Sequence, residues 1–148
     1  MKIICYAFKN QKGELEAPFL EYMEKYVIHS QESEKKQAKK VKQVMNIKAH
    51  LEYIVDNQGR YNLPPVVQKY KNSNLGIIKI KEPDNLVRIA FFTQHDHKII
   101  FLDAYDKPKL YEKQKKQKID NMIEKFLKKV EFYKLDYEKQ KYFIPLNI

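Results

Sequence analysis

Between Leu75 and Tyr105, three short apolar runs are separated by two polar breaks, and this leaves few folds open. The runs are Leu75 to Lys81, Leu86 to Phe92 and Lys98 to Tyr105. The breaks are Glu82-Pro83-Asp84-Asn85 and Thr93-Gln94-His95-Asp96-His97. Runs of strand length, rich in β-branched and aromatic residues and bounded by turn residues, predict three strands joined by two hairpins. The expectation is an antiparallel meander over residues 76–105. Ile78-Lys79-Ile80-Lys81 alternates, so one face of its strand is apolar and the other carries lysines. Arg88 lies inside the middle run, which no acidic residue interrupts. A guanidinium is costly there unless it emerges on a solvated face or meets an anion. Lys79, Lys81 and Arg88 therefore define a candidate cationic face.

The rest of the chain reads as helices that cover this sheet. At 148 residues it can form one domain with a core, and no linker or repeat divides it. The expected class is α+β: a small antiparallel β-sheet packed against helices. A strand and helices occupy residues 1–62, the core 63–132 and a tail 133–148. Lys2 to Phe8 predicts a first strand, buried on both faces or set beside the meander. Pro18 opens a short helix carrying Phe19, Leu20, Met23, Tyr26 and Val27, since proline suits a first helical turn. Ser30 is the expected cap of a long helix over 31–57, with Ala38, Val41, Val44, Met45, Ile47, Leu51, Ile54 and Val55 on its apolar stripe. Val66 to Tyr70 predicts one helical turn. Ile119, Met122, Ile123, Phe126, Leu127 and Val130 predict a last helix to about Tyr133, packed on the meander. Residues 137–148 give no assignable pattern.

Composition narrows the function. Lys and Arg number 29 against 19 Asp and Glu, a formal charge of +10, which favours polyanionic partners. Cys5 is the single cysteine, which excludes a disulfide framework and reads as a core residue. No leader-like segment and no apolar run of about 20 residues is present. A cytoplasmic chain without a membrane partner is expected. Three glycines, no Gly-rich phosphate loop, no paired cysteines, no Ser-centred elbow and no HExxH argue against nucleotide-dependent enzymes and against a small-molecule cofactor. His95 and His97 flank Asp96, but no second His or Cys cluster completes a metal site, so a polar turn is expected.

The chemistry that fits the basic cluster Lys79, Lys81, Arg88, Lys107 and Lys109 is phosphodiester binding. Metal-free RNA cleavage needs a deprotonated 2′-OH, a phosphate held in line and neutralisation of growing negative charge. A cationic face meets the last two needs. Lysine can act as the base only where neighbouring cations lower its pKa. Tyr105 could stack a base. Lys109, Lys113, Lys115 and Lys116 extend the footprint for a phosphate backbone. Cations at a helix start oppose its dipole, which favours a functional reason for them or a loop running to about Lys118. The rival expectation is a solvated sheet face that performs no reaction.

The succession Gly76-Ile77-Ile78-Lys79-Ile80-Lys81, Val87-Arg88-Ile89 and Ile99-Ile100-Phe101-Leu102, with Tyr105 and Lys107, resembles the RelE/HigB superfamily of bacterial toxin–antitoxin toxins. It is most similar to the HigB-like, phage-derived branch, over residues 63–132. Lys79 stands where that family commonly has Glu, Lys81 where it has Arg, and Asp103 where it often has His. Lys107-Pro108-Lys109 replaces an adjacent lysine pair. The resemblance implies a RelE-like fold with an N-terminal helical extension. It also implies a ribosome-dependent mRNA interferase that acts without metal or cofactor and is neutralised by a cognate antitoxin. Arg88 would hold the scissile phosphate, Lys81 would replace the strand arginine, Lys107 would be the basic residue after the last strand, and Tyr105 would be structural or stacking. Lys79, Lys109, Lys113, Lys115 and Lys116 would bind RNA. A catalytically silent RNA-, DNA- or protein-binding module of the same fold is the alternative.

Overall fold

A computed structural model describes residues 2–70, 73–95, 97–109 and 115–147. The meander is present as β5 (Gly76–Lys81), β6 (Leu86–Gln94) and β7 (Lys98–Lys107), paired antiparallel in sequence order. Four further elements precede it: β1 (Lys2–Tyr6), the β2–β3 hairpin (Phe8–Lys9 and Leu15–Glu16), α1 (Pro18–Met23) and α2 (Glu34–Asp56). A 3-10 turn, Glu24–Tyr26, follows α1. β4 (Val67–Lys69), α3 (Lys116–Gln140) and β8 (Phe143–Pro145) complete the chain. The main sheet has six strands in the order β4-β5-β6-β7-β1-β8. Only β1 and β7 run parallel, with Ile3 opposite Ile99. The class is α+β, with a mostly antiparallel sheet and three helices.

Both faces of the sheet are covered, which is why the central strands are nearly continuous apolar runs. On one face Ile78, Ile80, Ile89, Phe91 and Phe101 pack against Phe19 of α1 and Ile47, Leu51 and Ile54 of α2. On the other, Ile4, Tyr6, Phe92, Ile100 and Leu102 pack against Phe126, Val130 and Tyr137 of α3. Cys5 is fully buried in β1, and burial pushes its thiol up to about 12, as expected of an unreactive core residue. The register shifts between Ala90 and Phe91, which face Asp103 and Phe101 and leave Leu102 as the extra residue of a β-bulge. Leu102 joins the core beneath α3, and Asp103 meets Lys129 of α3 at 2.8 Å. The bulge thus sends two successive side chains toward one helix.

Four expectations change. Val66–Tyr70 is not a helical turn: Val67–Lys69 forms β4, with Val67 opposite Ile78 on the apolar side of β5. Ser33, not Ser30, caps α2, its hydroxyl accepting from the Lys36 N–H at 3.2 Å. α3 runs past Tyr133 to Gln140, because Tyr137 continues its buried stripe. The tail is no separate segment: β8 pairs with β1, setting Ile144 opposite Cys5.

Candidate nucleic-acid interface

α3 packs over β7 and β1 and leaves the β5–β6 part of the same face open. The space between them is a groove of about 340 Å³. Its strand wall carries Ile77, Lys79, Arg88, Tyr105 and Lys107; its helix wall carries Ile123, Phe126 and Leu127. Strand alternation puts these residues on one face, and the two hairpins set them side by side. Arg88 lies opposite Lys79 in β5 and opposite Tyr105 in β7. The Tyr105 ring lies 4.3 Å from that of Phe126, so the helix holds the tyrosine against the groove floor.

Arg88 is half-buried, and desolvation pushes its guanidinium below the ordinary arginine value. Its Nη1 donates to the Val87 carbonyl at 3.3 Å, and no carboxylate reaches it among the described residues. The three acids best placed by sequence to neutralise it are engaged elsewhere or buried apart from it. Asp103 pairs with Lys129, and its Oδ1 accepts the Ala104 N–H at 2.8 Å. Asp106 points to the other face, where it receives the Tyr22 hydroxyl and pairs with Lys25. Glu82 is buried beside Asn46 and His50, with its Oε1 unbonded. Desolvation, with Arg88 and Lys107 adding to it, lowers the Lys79 ammonium below its ordinary value. Burial raises Tyr105, and the nearby Arg88 works against that shift.

The groove therefore gathers Lys79, Arg88, Tyr105 and Lys107. Lys81 is exposed, opposite Leu86, and does not line it. Lys109 is exposed just past β7, and Lys115 and Lys116 are exposed at the start of α3. Lys113 lies outside the described residues. His95 and His97 sit in the β6–β7 turn, at the opposite end of these strands from Lys107. No group of three or more metal-ligating side chains occurs among the described residues. The helix wall was absent from the residue-by-residue reading. Its signal is present, since Ile123 and Leu127 stand four apart beside the buried Phe126.

Such a site can hold a phosphodiester. A guanidinium without a carboxylate offers a fork of donors, the ammonium groups of Lys69, Lys79 and Lys107 add charge, and Tyr105 offers a stacking surface. A lysine whose ammonium form is disfavoured by desolvation and by neighbouring cations is a candidate to take a proton. Compared with known proteins, the chain matches no family model and no curated protein. No helix among the described residues is long and apolar enough to cross a membrane.

Proposed function

We propose that the chain binds single-stranded RNA in the groove and cleaves it there, as a RelE/HigB-like, ribosome-dependent mRNA interferase of the cytoplasm. One observation carries the reading: Arg88 is half-buried on the groove wall with no carboxylate partner among the described residues. A guanidinium left in that state has lost part of its hydration, and a bound phosphate restores the loss through charge-assisted hydrogen bonds. Lys79 and Lys107 flank that phosphate and neutralise charge as the 2′-oxygen attacks phosphorus and the P–O5′ bond breaks, leaving a 2′,3′-cyclic phosphate and a 5′-oxygen that takes its proton from water. Lys79, whose ammonium is lowered first by desolvation and then by Arg88 and Lys107, is also the groove group assigned to accept the 2′ proton. Tyr105 stacks a base. Lys81 and Lys109, outside the groove, act through the backbone charge of a longer strand. The reaction uses neither metal nor cofactor. The antiparallel meander and the covering of its two faces by α2 and α3 support a RelE-like fold, with the β2–β3 hairpin, α1 and α2 as the N-terminal addition. A neutralising antitoxin is the protein partner this reading entails.

The second reading is a binding module without catalysis. It is favoured by the chemistry of the groove, whose lining among the described residues includes no histidine or carboxylate to serve as a conventional base. One experiment separates the two. Cleavage of translated mRNA is followed in an extract for the parent, Arg88→Lys and Arg88→Ala, beside thermal melts of each. Losing one transition-state contact of this kind costs about 10²–10³-fold in rate. Both variants should fall by that factor at unchanged melting temperature, Arg88→Lys because it keeps charge but loses the fork. Cleavage by Arg88→Lys at the parent rate removes the phosphate role. RNA binding with no cleavage by any form, parent included, selects the module.

A further inference from the structure

Tyr105 and Phe126 have a second space on their far side, a cavity of about 790 Å³. The two rings line both cavities and form the wall between them. The floor of the second is apolar, made by Ile119 and Met122 of α3 with Pro108. Its rim is basic. Lys115, Lys118 and Lys125 stand on it, all exposed, and none has a carboxylate partner among the described residues. Lys129 also reaches the rim but is held by Asp103. The first turn of α3 contains no acidic residue, so its lysines face the positive end of the helix dipole uncompensated. A bound polyanion offsets that cost.

An apolar floor, an aromatic wall and a rim of ammonium groups are the parts of a single-strand nucleotide site, where bases stack and lysines follow the backbone. We infer that one RNA strand crosses the Tyr105–Phe126 wall, with a nucleotide beside Arg88 in the groove and its neighbour in the lysine-rimmed cavity on α3. The inference rests on the reading of the groove as an RNA site and adds where the strand goes next. Continuity decides for RNA over an acidic peptide: the two cavities share a wall, and the groove presents a guanidinium suited to phosphate.

The test is fluorescence anisotropy of a labelled 2′-O-methyl hexauridylate, which resists cleavage, titrated with the full chain over a range of salt. Lys118→Gln with Lys125→Gln removes two phosphate contacts and should lower the slope of log affinity against log salt by about 1.4, at about 0.7 per phosphate. Affinity should fall by about tenfold at moderate salt. Lys35→Gln with Lys42→Gln, the same charge change on exposed positions of α2, should change affinity less than twofold. Met122→Ser, which removes apolar surface from the floor without adding charge, should weaken the uridylate but leave an abasic strand of the same length nearly unaffected. Equal losses from the α3 and α2 pairs mean bulk charge alone and overturn the inference. An α3 pair that binds like the parent overturns it too, while the groove stands if Arg88→Gln binds weakly. Parent-like binding by Arg88→Gln instead overturns the groove reading, and with it the shared strand.

Discussion

Arg88 stands opposite Lys79 across the β5–β6 ladder, two cations in register on one face of the sheet. Like charges placed directly across a pair of strands are destabilising, and no carboxylate among the described residues separates these two. The fold tolerates a repulsion that a single substitution would relieve.

Relief of that repulsion should stabilise the protein and weaken RNA binding. Lys79→Gln is expected to gain about 0.2–1 kcal/mol, raising Tm by roughly 1–3 °C at low salt. Added salt screens the repulsion in the parent and should narrow the gap. Paired thermal melts and RNA titrations at two ionic strengths measure both effects. A Lys79→Gln protein that melts below the parent would show that the lysine supports the fold.

The loop before α2 should be acid-sensitive through Glu32. This carboxylate accepts from Lys40 Nζ at 2.7 Å and the His29 N–H at 2.8 Å, and with Lys36 nearby its pKa falls to about 2. A depressed value contributes stability that is fully present above the ordinary value of 4.5 and is lost as pH falls toward about 2. Glu32→Gln should therefore melt below the parent near neutral pH, and the two curves should converge in strong acid. A gap that persists at low pH would rule out the ionised carboxylate as its source.

At the bulge, Lys129→Met should leave the Asp103 carboxylate, 6% exposed, without its cation. Leaving such an acceptor unsatisfied costs about 1–3 kcal/mol. Adding Asp103→Asn should recover much of the loss, because the neutral amide keeps an oxygen for the Ala104 N–H. Urea denaturation of the single and double variants gives the coupling. Strict additivity would mean the pair is not coupled.

Gly76 is required by close approach: a Cβ there would lie 2.6 Å from ring carbons of Phe91 and 2.9 Å from the Tyr61 ring. Phe91 is fully buried and has no open space to retreat into. Gly76→Ala should cost about 1–3 kcal/mol, read as a lower urea midpoint at unchanged slope. An unchanged midpoint would mean that the Phe91 ring shifts freely.

The meander was legible because its short β-branched and aromatic runs, alternating in β5 and nearly continuous in β6 and β7, are bounded by turn residues. The pairing inside it was legible too, had the loop been counted. Four residues, Glu82 to Asn85, separate Lys81 from Leu86, so Arg88, two past Leu86, must meet Lys79, two before Lys81. Lys81, on the same face, lies two residues further along β5, opposite Leu86. β4 was misread because three residues are too few for periodicity to separate strand from helix, and its pairing is supplied by β5. The C-terminal end of α3 was readable, since Tyr133 and Tyr137 continue the spacing of Phe126 and Val130. β8 was not: Phe143 to Pro145 becomes a strand only because β1 offers it an edge. The groove has no linear signature, as its walls come from β5, β6, β7 and α3.

The parallel pairing of β1 with β7 puts a schedule on synthesis. Lys2 pairs with Lys98, so β1 leaves the ribosome with no partner until nearly a hundred residues have followed it. At about 5–20 residues per second that is a wait of roughly 5–20 s. During it the apolar Ile3-Ile4-Cys5-Tyr6 segment has no sheet to join. The hairpins that align Lys79, Arg88 and Tyr105 close over short loops and need no such delay. The nascent chain thus pairs Lys79 with Arg88 while β1 is still waiting.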